Sequence, residues 1–149
     1  LHPLQQPLAQ ALSRVSVPAV MERSLVRSQR MVSREEAEAL LHAKPAWVVI
    51  VRSRDDKPTL ALKAADLARV LLDDEAWAKE QQIDLLEVPG QRLDMAPIHL
   101  EATLSEALDR LNEARVDALY VETSMGPIKR RISGIITRES IENYYRYTP

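Results

Sequence analysis

The feature that most constrains this chain is that it states its pattern twice. Ser33-Arg34-Glu35-Glu36-Ala37 is answered about 70 residues later by Thr103-Leu104-Ser105-Glu106-Ala107. Leu41 then answers to Leu111, and the apolar run Trp47-Val48-Val49-Ile50-Val51 to Ala118-Leu119-Tyr120-Val121. Leu60-Ala61-Leu62-Lys63-Ala64-Ala65-Asp66-Leu67 aligns with Gly134-Ile135-Ile136-Thr137-Arg138-Glu139-Ser140-Ile141. The offset drifts from about 70 to about 74, as it does when extra residues enter loops between repeated units. Such a doubling predicts two similar half-units about a pseudo-twofold axis, with a cleft between them.

The pattern inside each copy is legible. Ser33 with Glu36, and Thr103 with Glu106, have the spacing of a capping box, in which each side chain satisfies the other's free backbone N–H at a helix start. Ala37, Leu40 and Leu41 follow the first box at helical spacing, and Leu104, Ala107, Leu108 and Leu111 follow the second. Pro45 stops the first helix. Trp47 to Val51 is continuously apolar and rich in β-branched residues, which predicts a buried strand. Asp55-Asp56-Lys57-Pro58 is turn chemistry, and Thr59 to Lys63 returns as its hairpin partner. A helix from Asp66 to Leu72 closes the copy, and a weak strand near Leu25 to Ser28 opens it. In the second copy the strands fall near Ala96 to Leu100, Ala118 to Glu122 and Ile132 to Ile136. Met125-Gly126-Pro127 makes the turn, and Thr137 caps a last helix toward Tyr145.

Each copy therefore reads β-α-β-β-α, an α/β (α+β) fold of two small sheets covered by helices. Residues 1–16 are a lead-in with a short helix around Leu8 to Leu12. The first repeat spans 17–75, a partly helical linker 76–92, with a helix near Glu75 to Gln82, and the second repeat 93–149.

Composition narrows the function. An apolar fraction of 46% supports a packed core, and with no Phe that core must be aliphatic. The absence of cysteine excludes disulfides and thiol chemistry. A net charge of -2 gives no global attraction to nucleic acid. The longest apolar run, Ala46 to Val51, is far short of the roughly 20 residues that span a bilayer. No secretory signal is visible at the N-terminus. The fragment is expected to be soluble, and its start at Leu1 is expected to mark a piece of a longer protein. His2, His42 and His99 lack ligand spacing, so no metal site is expected. There is no Gly-rich phosphate loop and no catalytic constellation, so an enzyme is not expected.

The element order, with the segment Gly134-Ile135-Ile136-Thr137-Arg138-Glu139-Ser140, resembles a tandem pair of CBS domains, the Bateman module. The stretch from Val17-Pro18-Ala19-Val20-Met21 to Ile141-Glu142-Asn143-Tyr144-Tyr145 is similar to the cytoplasmic C-terminal region of bacterial ClC-type chloride channels and antiporters. The resemblance implies a regulatory and dimerisation module at the cytoplasmic face of the inner (plasma) membrane. Its partners would be its own transmembrane transport domain and a second copy, not nucleic acid. By the same resemblance it would require no cofactor and would take ATP, ADP or AMP as a regulatory ligand.

The resemblance places that ligand at Lys63 and Asp66 in the first copy and at Thr137, Arg138 and Ser140 in the second. A helix N-terminus offers free N–H groups to phosphate, and an Asp one turn later accepts hydrogen bonds from ribose hydroxyls. Both copies depart from the family pattern. Ser140 stands where the Asp is expected, and Lys63 and Leu60 replace the hydroxyl and the glycine. A purely structural dimerisation module with empty clefts, and a CBS pair serving another transporter or an enzyme, are the alternatives. Arg23, Arg27, Arg30 and Arg34, and Lys129-Arg130-Arg131, read either as solvated surface or as contacts to phosphate, lipid headgroups or an acidic face. Tyr144, Tyr145 and Tyr147 read as packing or interface residues rather than base-recognition residues.

Overall fold

A computed structural model describes residues 5–73, 82–124 and 130–147. The expected helix near Glu75 to Gln82 lies outside them except for Gln82, which begins a strand. The Met125-Gly126-Pro127 turn and Lys129 also lie outside.

By its contacts the chain divides into two compact units, Leu1–Arg23 with Met95–Pro149 (unit 1) and Ser24–Asp94 (unit 2). Unit 2 contains β1 (Leu25–Ser28), β2 (Met31–Ser33), α2 (Arg34–His42), β3 (Trp47–Val51), β4 (Pro58–Lys63), α3 (Ala64–Leu72) and β5 (Gln82–Asp84). Unit 1 contains α1 (Gln5–Leu12), α4 (Leu104–Ala114), β7 (Ala118–Ser124), β8 (Arg130–Thr137) and α5 (Arg138–Tyr147). The strand β6 (Arg92–His99) carries the chain from one unit into the other.

The repeat is visible residue by residue in the pairing. In unit 2, β1 runs parallel to β3, Leu25 opposite Trp47, and β3 runs antiparallel to β4, Trp47 opposite Lys63. In unit 1, Met95 of β6 lies parallel opposite Ala118 of β7, which faces Thr137 of β8. Each hairpin shifts register at the corresponding step, between Ile50 and Val51 and between Val121 and Glu122. Both capping boxes form as the sequence dictates, closed by Ser33 with Glu36 and by Thr103 with Glu106. Both of those helices end near a non-glycine residue in the left-handed region, Lys44 (φ 54) and Arg115 (φ 57).

Two separate aliphatic cores follow, because each helix pair has an apolar side to cover. In unit 2, Val48, Ile50, Leu62, Leu67, Ile83 and Leu85 are buried together. In unit 1, Leu12, Leu104, Leu111, Leu119, Val121, Ile136 and Ile141 are. The lead-in helix α1 packs against α4 and α5 through this second core.

The flanking segments also repeat. In unit 2 a short 3-10 turn, Leu85–Glu87, leads to Arg92–Asp94, which pairs antiparallel with Leu60–Leu62 of β4. In unit 1 a 3-10 turn, Val17–Ala19, leads to Glu22, which exchanges both backbone hydrogen bonds with Ile135 of β8 at 2.7 and 2.9 Å. The last strand of each copy is thus flanked by the chain that precedes the other copy's first strand. Gly134 is explained by this crossing, since a Cβ there would stand 2.9 Å from both Glu22 O and the Met21 side chain. The sequence did not predict β2 and β5, which pair antiparallel with each other.

Candidate functional site

The residues singled out by resemblance sit at two equivalent places, the start of α3 in unit 2 and the start of α5 in unit 1. Chain direction puts them there. Each hairpin ends directly in a helix, so the first helical N–H groups emerge at the strand end.

In unit 2, Lys63 occupies the N-cap position with extended backbone (φ -70, ψ 132), and no side chain caps α3. Lys63 itself is exposed. The N–H of Ala64 is taken by Ala46 O at 3.0 Å. Asp66, one turn in, is only 7% exposed. Its carboxylate pairs with Arg69 Nη1 at 3.2 Å, and Arg69 is largely in solvent. Gly90 (φ 134) lies directly against that carboxylate, so closely that a Cβ on Gly90 would overlap it.

In unit 1 the start of α5 is closed on itself. The Thr137 hydroxyl accepts from Ser140 N at 3.0 Å, while Ser140 Oγ accepts from Thr137 N at 2.9 Å. The Ser140 hydroxyl proton goes to Thr137 O at 2.8 Å. Ser140 is therefore the second half of a reciprocal cap and not a bare vacancy for a missing carboxylate. Arg138 donates its backbone N–H to Asp117 O at 3.1 Å, and its guanidinium pairs with Asp117 at 3.6 Å.

Three of the arginines in the first basic stretch are engaged. Arg30 grips Asp84 with two hydrogen bonds of 2.9 and 2.7 Å. Those bonds hold the Asp84 carboxyl below its usual value, helped by the N–H of Leu86, and raise the Arg30 guanidinium. Arg34 reaches Leu71 O at 2.8 Å, and Arg27 reaches Asp56 O at 3.3 Å. Of the tyrosines, Tyr144 packs against the unit 1 core and Tyr145 is exposed. Among the described residues, no group of three or more His, Asp or Glu gathers as a metal site would require.

Two open grooves also occupy equivalent positions. One, of about 820 Å³, runs between β6 and α4 and is rimmed by Glu101, Asp109, Glu113 and Arg110. The other, of about 670 Å³, runs between β1 and α2 over Val26, Val32 and Leu40. Neither is lined by Lys63, Asp66, Thr137 or Ser140. The candidate site thus lies outside both grooves. It is an uncapped helix start beside a covered carboxylate. The sequence could not announce Gly90 as part of it, because Pro89-Gly90 carries only the signal of a turn.

No protein-family model matches the chain, and no curated protein matches it. Solved structures do. The CBS domain of a candidate transporter from Clostridium difficile 630 is similar at 19% identity, with TM-score 0.57 over 91% of this chain and 97% of that one. A hemolysin-like protein containing a CBS domain from Oenococcus oeni PSU is similar at 15% identity, with TM-score 0.56 over 97% and 98%. The CBS domain of a bacterial CNNM/CorC family Mg2+ transporter in complex with ATP is similar at 14% identity, with TM-score 0.52 over 95% and 96%. The chain has the fold of a CBS-domain pair.

Proposed function

We propose that this chain is the regulatory module of a membrane transporter, and that it takes an adenine nucleotide at the start of α3. The observation that carries this reading is the local chemistry of unit 2. The α3 N-terminus lacks a side-chain cap, Lys63 stands free at its edge, and a buried carboxylate waits one turn on. Phosphate suits the first two groups, and the ribose hydroxyls suit the third. The transporter CBS domains of similar fold, one of them in complex with ATP, favour the same reading.

The module acts by linkage and catalyses nothing. A nucleotide that favours one conformation of the start of α3 shifts the population toward it, and one that binds all conformations equally shifts nothing. A second copy would dock on helical faces, where Leu72 at the end of α3 and Tyr145 on α5 leave apolar surface exposed. Among the described residues no helix is long and apolar enough to cross a membrane, so the transport domain would lie outside this stretch, with the module on the cytoplasmic face. A chloride channel or antiporter is the narrower version of this parent. It rests on sequence likeness over the stretch from Val17–Met21 to Ile141–Tyr145 and gains no support from the structures of similar fold.

Differential scanning with ATP, ADP and AMP at millimolar concentration tests the proposal. The expected result is a rise in midpoint that grows with ligand concentration. An unchanged midpoint with all three would retire nucleotide sensing. It would favour the second reading, a structural dimerisation module, which the covered Asp66 and the self-closed Thr137–Ser140 pair also suit.

A further inference from the structure

We propose that the turn Pro89–Gln91 is a latch that closes over Asp66, and that a ligand must displace Gly90 to reach the carboxylate. The inference deepens the nucleotide reading and rests on it for what enters; the closure itself is a property of the chain alone.

The turn is held at both feet and free at its crest. On the incoming side, Asp84 is gripped by Arg30 and accepts from Leu86 N at 3.0 Å. Leu85 and Val88 are buried in the unit 2 core, at 0% and 2% exposure. On the outgoing side the Arg92 guanidinium bonds Val88 O, and Arg92–Asp94 pairs with β4. Between these anchors Pro89, Gly90 and Gln91 are exposed. Gly90 bridges the gap at φ 134, a conformation that residues with side chains rarely adopt. Its missing Cβ is what lets the backbone settle on the carboxylate, since that atom would overlap Asp66 Oδ2 and Cγ.

What lies beneath is a carboxylate with room for further donors. A buried carboxylate is ordinarily satisfied by several hydrogen bonds. Among the described residues Asp66 has one ion pair, to an arginine that is itself mostly in water. The closed turn leaves Asp66 only 7% exposed, and among the described residues it supplies no bonded donor. A ligand offering two hydroxyls would satisfy Asp66 better than Gly90 does, which gives an opened state something to gain. Because the turn runs straight into β6, lifting it also pulls on the pairing of Arg92–Asp94 with β4. Occupancy of Asp66 would be read out there.

The test is carboxyl footprinting of the full chain, by carbodiimide amidation with glycine ethyl ester and mass spectrometry. Asp94, which is exposed, serves as the internal reference. In the wild-type chain Asp66 should be amidated about tenfold more slowly than Asp94, as expected for a site reached only by local opening. Gly90→Ala places a methyl into the carboxylate, so either the turn rises or Asp66 swings out. Both uncover Asp66, and its rate should approach that of Asp94. Arg92→Ala removes the bond to Val88 O without steric conflict and should give an intermediate rate. It serves as the second variant if circular dichroism shows Gly90→Ala unfolded.

Equal rates for Asp66 and Asp94 in the wild-type chain, or slow amidation of Asp66 in both folded variants, would overturn the latch. Adding AMP separates the two ideas. Protection of the uncovered Asp66 by AMP supports both. Uncovering without protection upholds the latch and rejects the nucleotide.

Discussion

At the start of α3, Lys63 is exposed, no side chain caps the helix and Asp66 is buried beneath Gly90. At the start of α5, the structural equivalents Thr137 and Ser140 bond to each other and leave little undone. The pairing of the three main strands and the register shift recur in both units, and each last strand is crossed by the segment before the other copy's first strand. The backbone of the repeat has been kept while its polar equipment has diverged. One helix start is closed by a reciprocal side-chain cap, and the other has no side-chain cap.

The comparison can be broken first at the shared scaffold. Leu62 and Ile136 occupy equivalent strand positions and are almost fully buried in separate cores. Leu62→Ala and Ile136→Ala should each cost about 2–5 kcal/mol, and the double variant the sum of the two. Urea denaturation checks this. A negligible cost at one site would mean that the two cores are not equivalent.

Next comes the divergent chemistry. Asp66→Ala should weaken AMP binding about tenfold to a hundredfold in isothermal titration, the share of a charged hydrogen bond. Ser140→Ala should leave binding unchanged and lower stability by about 1 kcal/mol, the worth of a cap. The opposite pattern would place the live site in unit 1. Ser140→Asp, which copies unit 2 into unit 1, should add a second and weaker binding event to the titration.

Smaller effects sharpen the picture. Lys44→Gly and Arg115→Gly relieve left-handed backbone at matching helix ends. Each should raise stability by up to about 1 kcal/mol in the same denaturation assay. The smallest effect concerns acid. Arg30 holds the Asp84 carboxyl below its ordinary value, so its stabilisation is full above that ordinary value, roughly pH 4. It is lost as pH falls through the lowered value. Stability should drop there in the wild-type chain and more gently in Asp84→Asn, as followed by denaturation between pH 5 and pH 2.5.

Much of the fold could be read from residue types. The two boxes, the helical stripes after them and the Trp47–Val51 strand announce themselves through local spacing, and the structure places all of them where that spacing requires. β2 and β5 escaped because three residues hold too little alternation to mark a strand, and their pairing joins Val32 to Ile83 across a long separation. The site was legible only as positions. That Asp66 is covered depends on Gly90, 24 residues away by number, and on a Cβ that is absent. Ser140 read as a lost carboxylate because a serine three residues after a threonine does not show in sequence whether it bonds back. Gly134, which matched a ligand motif, is required by the passage of Met21 and Glu22.

The most direct measurement is a crystal of this chain grown with millimolar AMP. The expected result is nucleotide density at the start of α3, ribose against Asp66 and phosphate toward Lys63, with Gly90 displaced. Density at Thr137–Ser140 with Asp66 still covered, or no nucleotide at either helix start, would contradict the division of labour between the two repeats.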